Sequence, residues 1–217
     1  MLVYDGVSGA EAVAPHEVFR RATGVDAHFV GEGRGPCVTQ GRPGLLVADR
    51  TLAELPAPDV LVVPGGLGAH RVAEQPELRA WVAAAHRTSQ WTAAVSTGSL
   101  LLGAAGVLDG VDATGHWLAL DELAGHGATP VAERLVVRGR IATASGAASA
   151  HDLALAVLDR CCGPDVAAAV RRSFTPGGDD DAGRRPFTRL GRWAHQGRYV
   201  AEDTATTERR RRRRTRA

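Results

Sequence analysis

The sequence predicts an α/β domain with a mostly parallel, doubly wound sheet that has helices on both faces. Short apolar runs such as Val60–Val63 and Trp91–Val95 have the length and composition of buried strands. They alternate with longer stretches of helical periodicity, such as His70–Arg87 and Asp152–Cys161. Strands that alternate with helices along a chain are typical of parallel sheets, because each helix carries the chain back to start the next strand.

The first part of the chain reads as a strand, a helix and two further strands. Leu2–Tyr4 is a short apolar run that predicts a strand, and a turn follows it at Asp5-Gly6. Glu11–Thr23 has apolar residues at helical spacing, and Gly24 follows it as a stop signal. Strands are predicted over Val25–Val30 and Leu45–Val47, on either side of a segment rich in glycine and proline.

The middle of the chain carries two strand–helix units. The strand Val60–Val63 runs into Pro64-Gly65-Gly66, and a helix is predicted over His70–Arg87. The strand Trp91–Val95 passes almost directly into a helix over Leu100–Ala105, which Gly106 ends.

The last periodic part of the chain contains a hairpin between helices. His116–Leu123 predicts a short helix, and Leu135–Thr143 predicts a hairpin that turns at Gly139. Asp152–Cys161 and Asp165–Arg172 have the spacing of amphipathic helices. The pattern therefore predicts one domain over residues 1–177.

Residues 178–217 differ in composition from the domain before them. They begin with Gly/Asp-rich linker sequence and end in an arginine run that repels itself, so we expect this segment to be disordered. The tail contains seven arginines, Arg209–Arg214 and Arg216. Without their charges, the net charge of the rest of the chain is 2 − 7 = −5. An acidic body does not favour nucleic-acid binding by the domain itself, so a nucleic acid is expected as a partner only through the tail.

Composition also excludes several classes of function. All 26 basic residues are arginine, which excludes a Schiff-base lysine and a P-loop lysine. Three cysteines with one adjacent pair form no disulfide framework and no zinc-ligand spacing, so no metal is expected. The start of the chain resembles neither a signal peptide nor a membrane span, and a cytoplasmic location is expected.

Two strand ends are candidates for the functional site, because ligands of open α/β sheets bind at the carboxyl ends of the strands. Gly65 and Gly66 follow one strand and allow a sharp turn that presents backbone N–H groups. Ser96 and Thr97 follow the next strand, where the chain enters a helix and unpaired N–H groups gather. A simpler interpretation is that Ser96 only caps that helix.

Several segments of the chain form a recognisable set by their order and spacing. The segments are Asp5–Val7, Glu11–Phe19 (EAVAPHEVF), Val62–Gly66 (VVPGG), Val95–Gly106 (VSTGSLLLGAAG), Asp112–Trp117 (DATGHW) and Thr143–Leu155. Together they resemble the ThiJ/PfpI superfamily of class I glutamine amidotransferase-like proteins over about residues 1–175. Within it, the elbow sequence and the His-Trp pair are most similar to isonitrile hydratases and to the sensor domains of AraC-type regulators.

The resemblance implies a flavodoxin-like three-layer sandwich and a set of site residues. The elbow residue falls on Ser96, and the acid that bonds to it falls on Glu11, in the loop entering the first helix. The histidine near the elbow falls on His116, with Trp117 as a pocket wall. Oxyanion and substrate contacts fall on the Gly65-Gly66 backbone and on Thr97.

Ser96 departs from the superfamily, whose elbow residue is cysteine. A hydroxyl is far less acidic than a thiol and requires a nearby base, for which Glu11 or His116 would serve. Three explanations stay open: a deliberate replacement of cysteine, a natural serine variant with altered chemistry, or a pocket that has lost its reaction.

The resemblance favours an isonitrile-hydratase-like enzyme, a lyase that hydrates a small molecule at Ser96. The alternative is a catalytically silent sensor domain, and a third possibility is a serine hydrolase, because Ala94–Gly98 approaches the G-x-S-x-G elbow.

No organic cofactor is expected, since the glycine-rich segments match neither the dinucleotide nor the P-loop spacing. The expected partners are a small molecule and, by resemblance, a second copy of the chain; no membrane is expected.

Overall fold

Helices and strands alternate along the computed structural model, which describes residues 1–41 and 44–174. The strands are β1 (Val30–Gly31), β2 (Gly35–Val38), β3 (Leu45–Ala48), β4 (Arg50–Thr51), β5 (Val60–Val63), β6 (Trp91–Val95), β7 (Asp112–Ala113), β8 (Thr129–Pro130), β9 (Leu135–Arg138) and β10 (Ile141–Ala144). The helices are α1 (Gly9–Arg20), α2 (Ala69–Ala73), α3 (Pro76–Thr88), α4 (Gly98–Ala104), α5 (Leu120–Gly125), α6 (Ala147–Cys162) and α7 (Pro164–Ser173). The predicted α/β class is confirmed.

The central sheet has the strand order β5-β6-β10-β9. The first three strands are parallel, with Val62 opposite Ala93 and Ala94 opposite Thr143. The predicted hairpin supplies the antiparallel edge, where Ala142 lies opposite Val137. Because β5 and β6 are parallel neighbours, their carboxyl ends bring the Gly65-Gly66 turn beside Ser96.

The amino-terminal segment extends the sheet beyond β5 without forming a full strand. The Leu2 N–H donates to the Val62 carbonyl (3.0 Å), and the Val3 N–H donates to the Val30 carbonyl (2.8 Å). Leu2 makes only an isolated parallel bridge to Val30, so the strand predicted over Leu2–Tyr4 is present as a shorter pairing. The strand predicted over Val25–Val30 is likewise reduced to β1.

Helices cover both faces of the sheet, as the sequence predicts. Leu61 and Val63 project into a core cluster that also contains residues of α2, α3 and α4. Val62 lies between them and, because side chains alternate along a strand, projects to the other face. On that face α6 packs on β6 and β10, and α1 packs on α6.

Two predicted helices differ from those observed. The helix predicted over His70–Arg87 is wrong as a single element, because the chain breaks between α2 and α3 and restarts at Pro76. Proline favours the first position of a helix, where its missing N–H has no intrahelical role. The helix predicted over His116–Leu123 is a 3₁₀ turn at Trp117–Ala119 followed by α5.

Residues Met1–Arg171 form one compact unit, and the boundary of that unit follows Arg171. The second unit starts at Arg172, and the predicted linker and arginine-rich tail at 178–217 lie outside the described residues. In the part of the chain that is described, none of the helices combines the length and apolar character needed to cross a bilayer.

The approach of α4 to β5 depends on a glycine. A Cβ on Gly98 would overlap the carbonyl oxygen of Val63 and approach Pro64. We expect Gly98→Ala to lower the free energy of unfolding by about 1–3 kcal/mol, the usual cost of overpacking, as measured by denaturant unfolding. Gly125→Ala is the matched control: that glycine, in α5, has nothing within 4 Å of its Cβ position and should show no such loss. Equal stability of both variants would contradict this close approach.

Candidate active site

Ser96 lies on a strained elbow at the end of β6. Its φ of 59° is the only positive value of a non-glycine residue within the described residues. A left-handed conformation costs an ordinary residue about 1–2 kcal/mol, and such strain is concentrated at functional sites. The Ser96 N–H donates to the Ala144 carbonyl (2.7 Å), which fixes the elbow to β10. Thr97 is the N-cap of α4, so the interpretation of Ser96 as a simple helix cap is wrong.

Glu11 brings its carboxyl to this elbow from the first turn of α1. The carboxyl is hydrogen-bonded to the Ser96 hydroxyl, and the Gly65 N–H donates to its Oε2 (2.9 Å). Both residues are buried, with Glu11 7% and Ser96 3% exposed. Glu11 belongs to the helix itself, not to the loop before it as expected. The predicted Ser96–Glu11 contact is present.

The environment of Glu11 favours its neutral form. Burial raises the pKa of the Glu11 carboxyl, and the hydrogen bonds from Gly65, Ser96 and Ser8 offset only part of that increase. The carboxyl therefore holds its proton to a higher pH than an exposed glutamate. A carboxyl of this kind can donate a proton to a bound molecule and accept one from the Ser96 hydroxyl.

The Gly65-Gly66 turn packs against the elbow with no room for side chains. A Cβ on Gly65 would lie 2.6 Å from Thr97 Oγ1 and 2.7 Å from Glu11 Oε2. The Gly66 N–H donates to Thr97 Oγ1 (2.9 Å), and the Thr97 hydroxyl donates to the Gly66 carbonyl (3.1 Å). The N–H groups of both glycines thus already have protein acceptors. Their role as oxyanion donors stays a prediction, and it requires these bonds to be exchanged for bonds to a ligand.

Ser8 and Tyr4 support the site but were missed at the level of sequence. Ser8 precedes Glu11 by three residues, a pattern typical of a capping box. The Ser8 hydroxyl makes no capping bond and bonds to the Glu11 carboxyl instead. The buried Tyr4 hydroxyl donates to the Pro64 carbonyl (2.7 Å), which holds the glycine turn in place. Burial and the nearby Glu11 charge raise the pKa of Tyr4, so its hydroxyl stays a donor.

His116 lies near the elbow but does not complete a Ser–His pair. The preceding Gly115 packs on Ser96, since a Cβ on Gly115 would lie 3.2 Å from the Ser96 carbonyl oxygen. His116 Nδ1 accepts the N–H of Leu118 (3.3 Å), and the ring stacks on Trp117 with centroids 5.9 Å apart. In the described part of the chain His116 has no hydrogen bond to Ser96. Its role as a base stays a prediction.

Exposed apolar side chains lie on the two loops that pack on the elbow. Leu67 follows the glycine turn and is 79% exposed, while Trp117 and Leu118 follow Gly115 and are 73% and 70% exposed. The helices after these two loops are joined by His70 Nδ1 and Glu122 Oε1 at 3.1 Å. We call Leu67, Trp117 and Leu118 the apolar rim. The described residues contain no cluster of three or more His, Cys, Asp or Glu side chains that could hold a metal.

The sequence of the chain is similar to those of known proteins and matches one protein family. Residues 1–160 match the DJ-1/PfpI family. The chain is 32% identical over 170 residues to an isonitrile hydratase of Pseudomonas putida, covering 78% of this chain and 74% of that protein. It is 31% identical over 153 residues to the HTH-type transcriptional regulator CdhR of Pseudomonas aeruginosa, covering 69% of this chain and 45% of the regulator.

A solved structure agrees with the fold. A ThiJ/PfpI family protein from Pseudomonas syringae superposes with a TM-score of 0.76 at 30% identity, over 84% of this chain and 77% of that one. The flavodoxin-like architecture inferred from the sequence is therefore confirmed.

The raised pKa of Glu11 predicts a characteristic dependence of stability on pH. Unfolding returns the carboxyl to its ordinary pKa, so the native state binds the proton more tightly than the unfolded state. Stability then falls as the pH rises from the ordinary pKa towards the folded-state pKa. Glu11→Gln cannot titrate, so its stability should fall less between about pH 5 and pH 8, by about 1.4 kcal/mol for each unit of the raised pKa. Denaturant unfolding across this range measures the difference.

Glu17→Gln on the same helix is the matched control. The Arg20 hydrogen bond lowers the pKa of Glu17, so its titration lies below this pH range. Its profile should run parallel to that of the wild type. A Glu11→Gln profile parallel to the wild type would show that the Glu11 pKa is not raised.

Proposed function

The chain belongs to the DJ-1/PfpI family, and on that premise we propose that it is an enzyme of the isonitrile-hydratase type that uses the Ser96–Glu11 pair. The observation that carries the proposal is the strained Ser96 whose hydroxyl is bonded to a buried carboxyl of raised pKa. A catalytic acid needs both a raised pKa and contact with the reacting group. The isonitrile hydratase relative supports the choice of reaction.

The reaction we propose adds water to a terminal isonitrile carbon. The Ser96 hydroxyl oxygen bonds to the carbon of R–N≡C, its proton passes to Glu11, and Glu11 delivers a proton to the same carbon. The product is an imidate ester, R–N=CH–O–Ser96. Water then attacks that carbon, the bond to Ser96 breaks, and the nitrogen takes up a proton to give the formamide R–NH–CHO. Glu11 returns the proton to Ser96, so atoms and charges balance.

The helix terminus next to Ser96 assists the charged stages of this sequence. Thr97 is the N-cap of α4. The N–H groups of Ser99 and Leu100 already donate to the Ser96 and Thr97 carbonyls, which leaves the Thr97 and Gly98 N–H groups for a ligand at this helix start. Their positive dipole favours negative charge that develops at the elbow oxygen. Gly65 and Gly66 would contribute oxyanion contacts only after releasing Glu11 and Thr97.

The apolar rim indicates the kind of molecule that fits. A substrate with a small polar end could reach the Ser96–Glu11 pair while its larger apolar substituent covers Leu67, Trp117 and Leu118. These side chains are 70–79% exposed, and burying them against a substituent would be favourable. An isonitrile with an aromatic or large aliphatic N-substituent has this shape.

A second candidate function is a catalytically silent sensor domain. Its support is the regulator relative together with the hydroxyl at the elbow, which is a much weaker nucleophile than a thiolate at neutral pH. In this candidate the site around Ser96 binds the small molecule without turnover, and a DNA-binding partner would be needed. The serine-hydrolase alternative has less support, because His116 bonds to its own loop.

Two further expectations belong to this proposal. A homodimer is expected from the resemblance, and Val38, Leu45 and Val47 on the β2–β3 hairpin are exposed apolar side chains that such an interface could cover. A cytoplasmic location would suit an enzyme whose three cysteines are free in the structure.

An assay with an aromatic isonitrile tests the function directly. We expect the wild type to release the formamide, measured by liquid chromatography, and Ser96→Ala and Glu11→Gln to lose at least about 100-fold in kcat/KM. Ser96→Cys should be faster than the wild type, because a helix N-terminus lowers the pKa of a thiol. Glu17→Gln, two turns along the same helix, should leave the rate unchanged.

The pattern of activity separates the candidates. Turnover by Ser96→Cys alone would reject the wild-type enzyme and favour the silent sensor. If neither protein is active while the isonitrile still binds, the sensor is again favoured. Absence of both turnover and binding would contradict the isonitrile assignment.

A further inference from the structure

A cavity lies at the end of the sheet opposite to Ser96. Its volume is about 520 Å³. It is lined near the amino ends of β5 and β6, whereas Ser96 follows the carboxyl end of β6. Its walls include Phe19, Val60, Leu61 and Trp81, with Cys161 and Cys162 from the last turn of α6. Neither the proposed reaction nor the family resemblance uses this cavity.

The two cysteines form a close pair of separate thiols. Their sulfur atoms lie 3.5 Å apart, far longer than the roughly 2.05 Å of a disulfide bond. Both cysteines are free and only partly buried, so a ligand in the cavity can reach them. Adjacent cysteines of this kind can bind one atom through two sulfurs.

The separation of the sulfurs restricts what that atom can be. An atom bonded to both at about 2.3 Å, the Zn–S length, would have an S–X–S angle of about 100°. This angle suits a pyramidal trivalent centre and not the linear geometry of a two-coordinate soft metal. Zinc would require further protein ligands, and no third His, Cys, Asp or Glu completes such a group among the described residues.

We propose that Cys161 and Cys162 form a binding site for monosubstituted trivalent arsenicals, R–As(OH)₂, whose organic substituent occupies the adjacent cavity. The two As–O bonds break and two As–S bonds form. Each hydroxide leaves as water with the proton of one thiol, and arsenic stays trivalent. The third bond of arsenic is to R, so two protein sulfurs complete its coordination.

The cavity beside the thiol pair suits an organic substituent on arsenic. Part of the cavity wall is aromatic and aliphatic, with polar side chains such as Asp59 and Gln90 elsewhere on it. Trp81 is fixed because its Nε1 donates to the Leu52 carbonyl (3.0 Å). An aryl or alkyl substituent on arsenic would pack against these walls.

Phenylarsine oxide is the probe, and intact-protein mass spectrometry is the readout. We expect one adduct per chain, with a mass increase equal to the reagent less one water. The adduct should survive excess glutathione and be removed by a dithiol. Cys161→Ser and Cys162→Ser should each abolish the glutathione-resistant adduct, because one thiol cannot chelate. Cys37→Ser, which removes the remaining cysteine, should keep it.

Two measurements keep the test decisive if a cysteine variant folds poorly. Digestion of the wild-type adduct should give one peptide in which arsenic bridges both residues. Ala57→Trp, at an exposed position lining the cavity, should weaken binding of the phenyl reagent roughly tenfold relative to a methyl arsenical. A wild type without a resistant adduct, an adduct that persists in Cys161→Ser, or arsenic bridged to Cys37 would overturn the proposal.

Discussion

The buried carboxyl of Glu11 is the interaction on which the arrangement of the site depends. It joins three parts of the chain: α1, which carries it, the glycine turn after β5, and the elbow after β6. Taking a carboxylate out of water is unfavourable unless hydrogen bonds or a cation compensate. Here Ser8, Ser96 and the Gly65 N–H compensate only in part, so the group moves towards its neutral form. The same imbalance that lowers stability at high pH makes Glu11 a proton donor.

Close backbone contact makes this junction possible. The positions of Gly65 and Gly98 leave no space for a Cβ, because Thr97, Glu11 and the end of β5 occupy it. The loops after the parallel strands β5 and β6 therefore lie within hydrogen-bonding distance of each other, as the bond from the Gly66 N–H to Thr97 shows. The polar groups that can react, Ser96 and Glu11, therefore occupy a small region, and the apolar rim lies outside it. The thiol pair on α6 is separated from this point by the length of the sheet, so the two proposed sites can be perturbed independently.

The sequence predicts the framework of the site because local rules determine it. A buried strand followed by Ser96 and a helix defines an elbow, and the resemblance places Glu11 against it. Hydrogen-bond partners follow from tertiary approach and could not be predicted: the Gly66 N–H, expected to be available to a ligand, donates to Thr97. Ser8 has a capping-box spacing to Glu11, yet its hydroxyl bonds to the carboxyl instead of the backbone. Pro76 carried a local signal for a new helix that the continuous apolar periodicity concealed.

The central claim is that Glu11 and Ser96 act as one hydrogen-bonded unit with a carboxyl of raised pKa. A ¹³C NMR titration of the Glu11 carboxyl, in the wild type and in Ser96→Ala, tests it most directly. The account predicts a midpoint above that of an ordinary glutamate in the wild type, and a higher one in Ser96→Ala, because the lost hydrogen bond stabilises the carboxylate. An ordinary midpoint, or one that Ser96→Ala leaves unchanged, would contradict it.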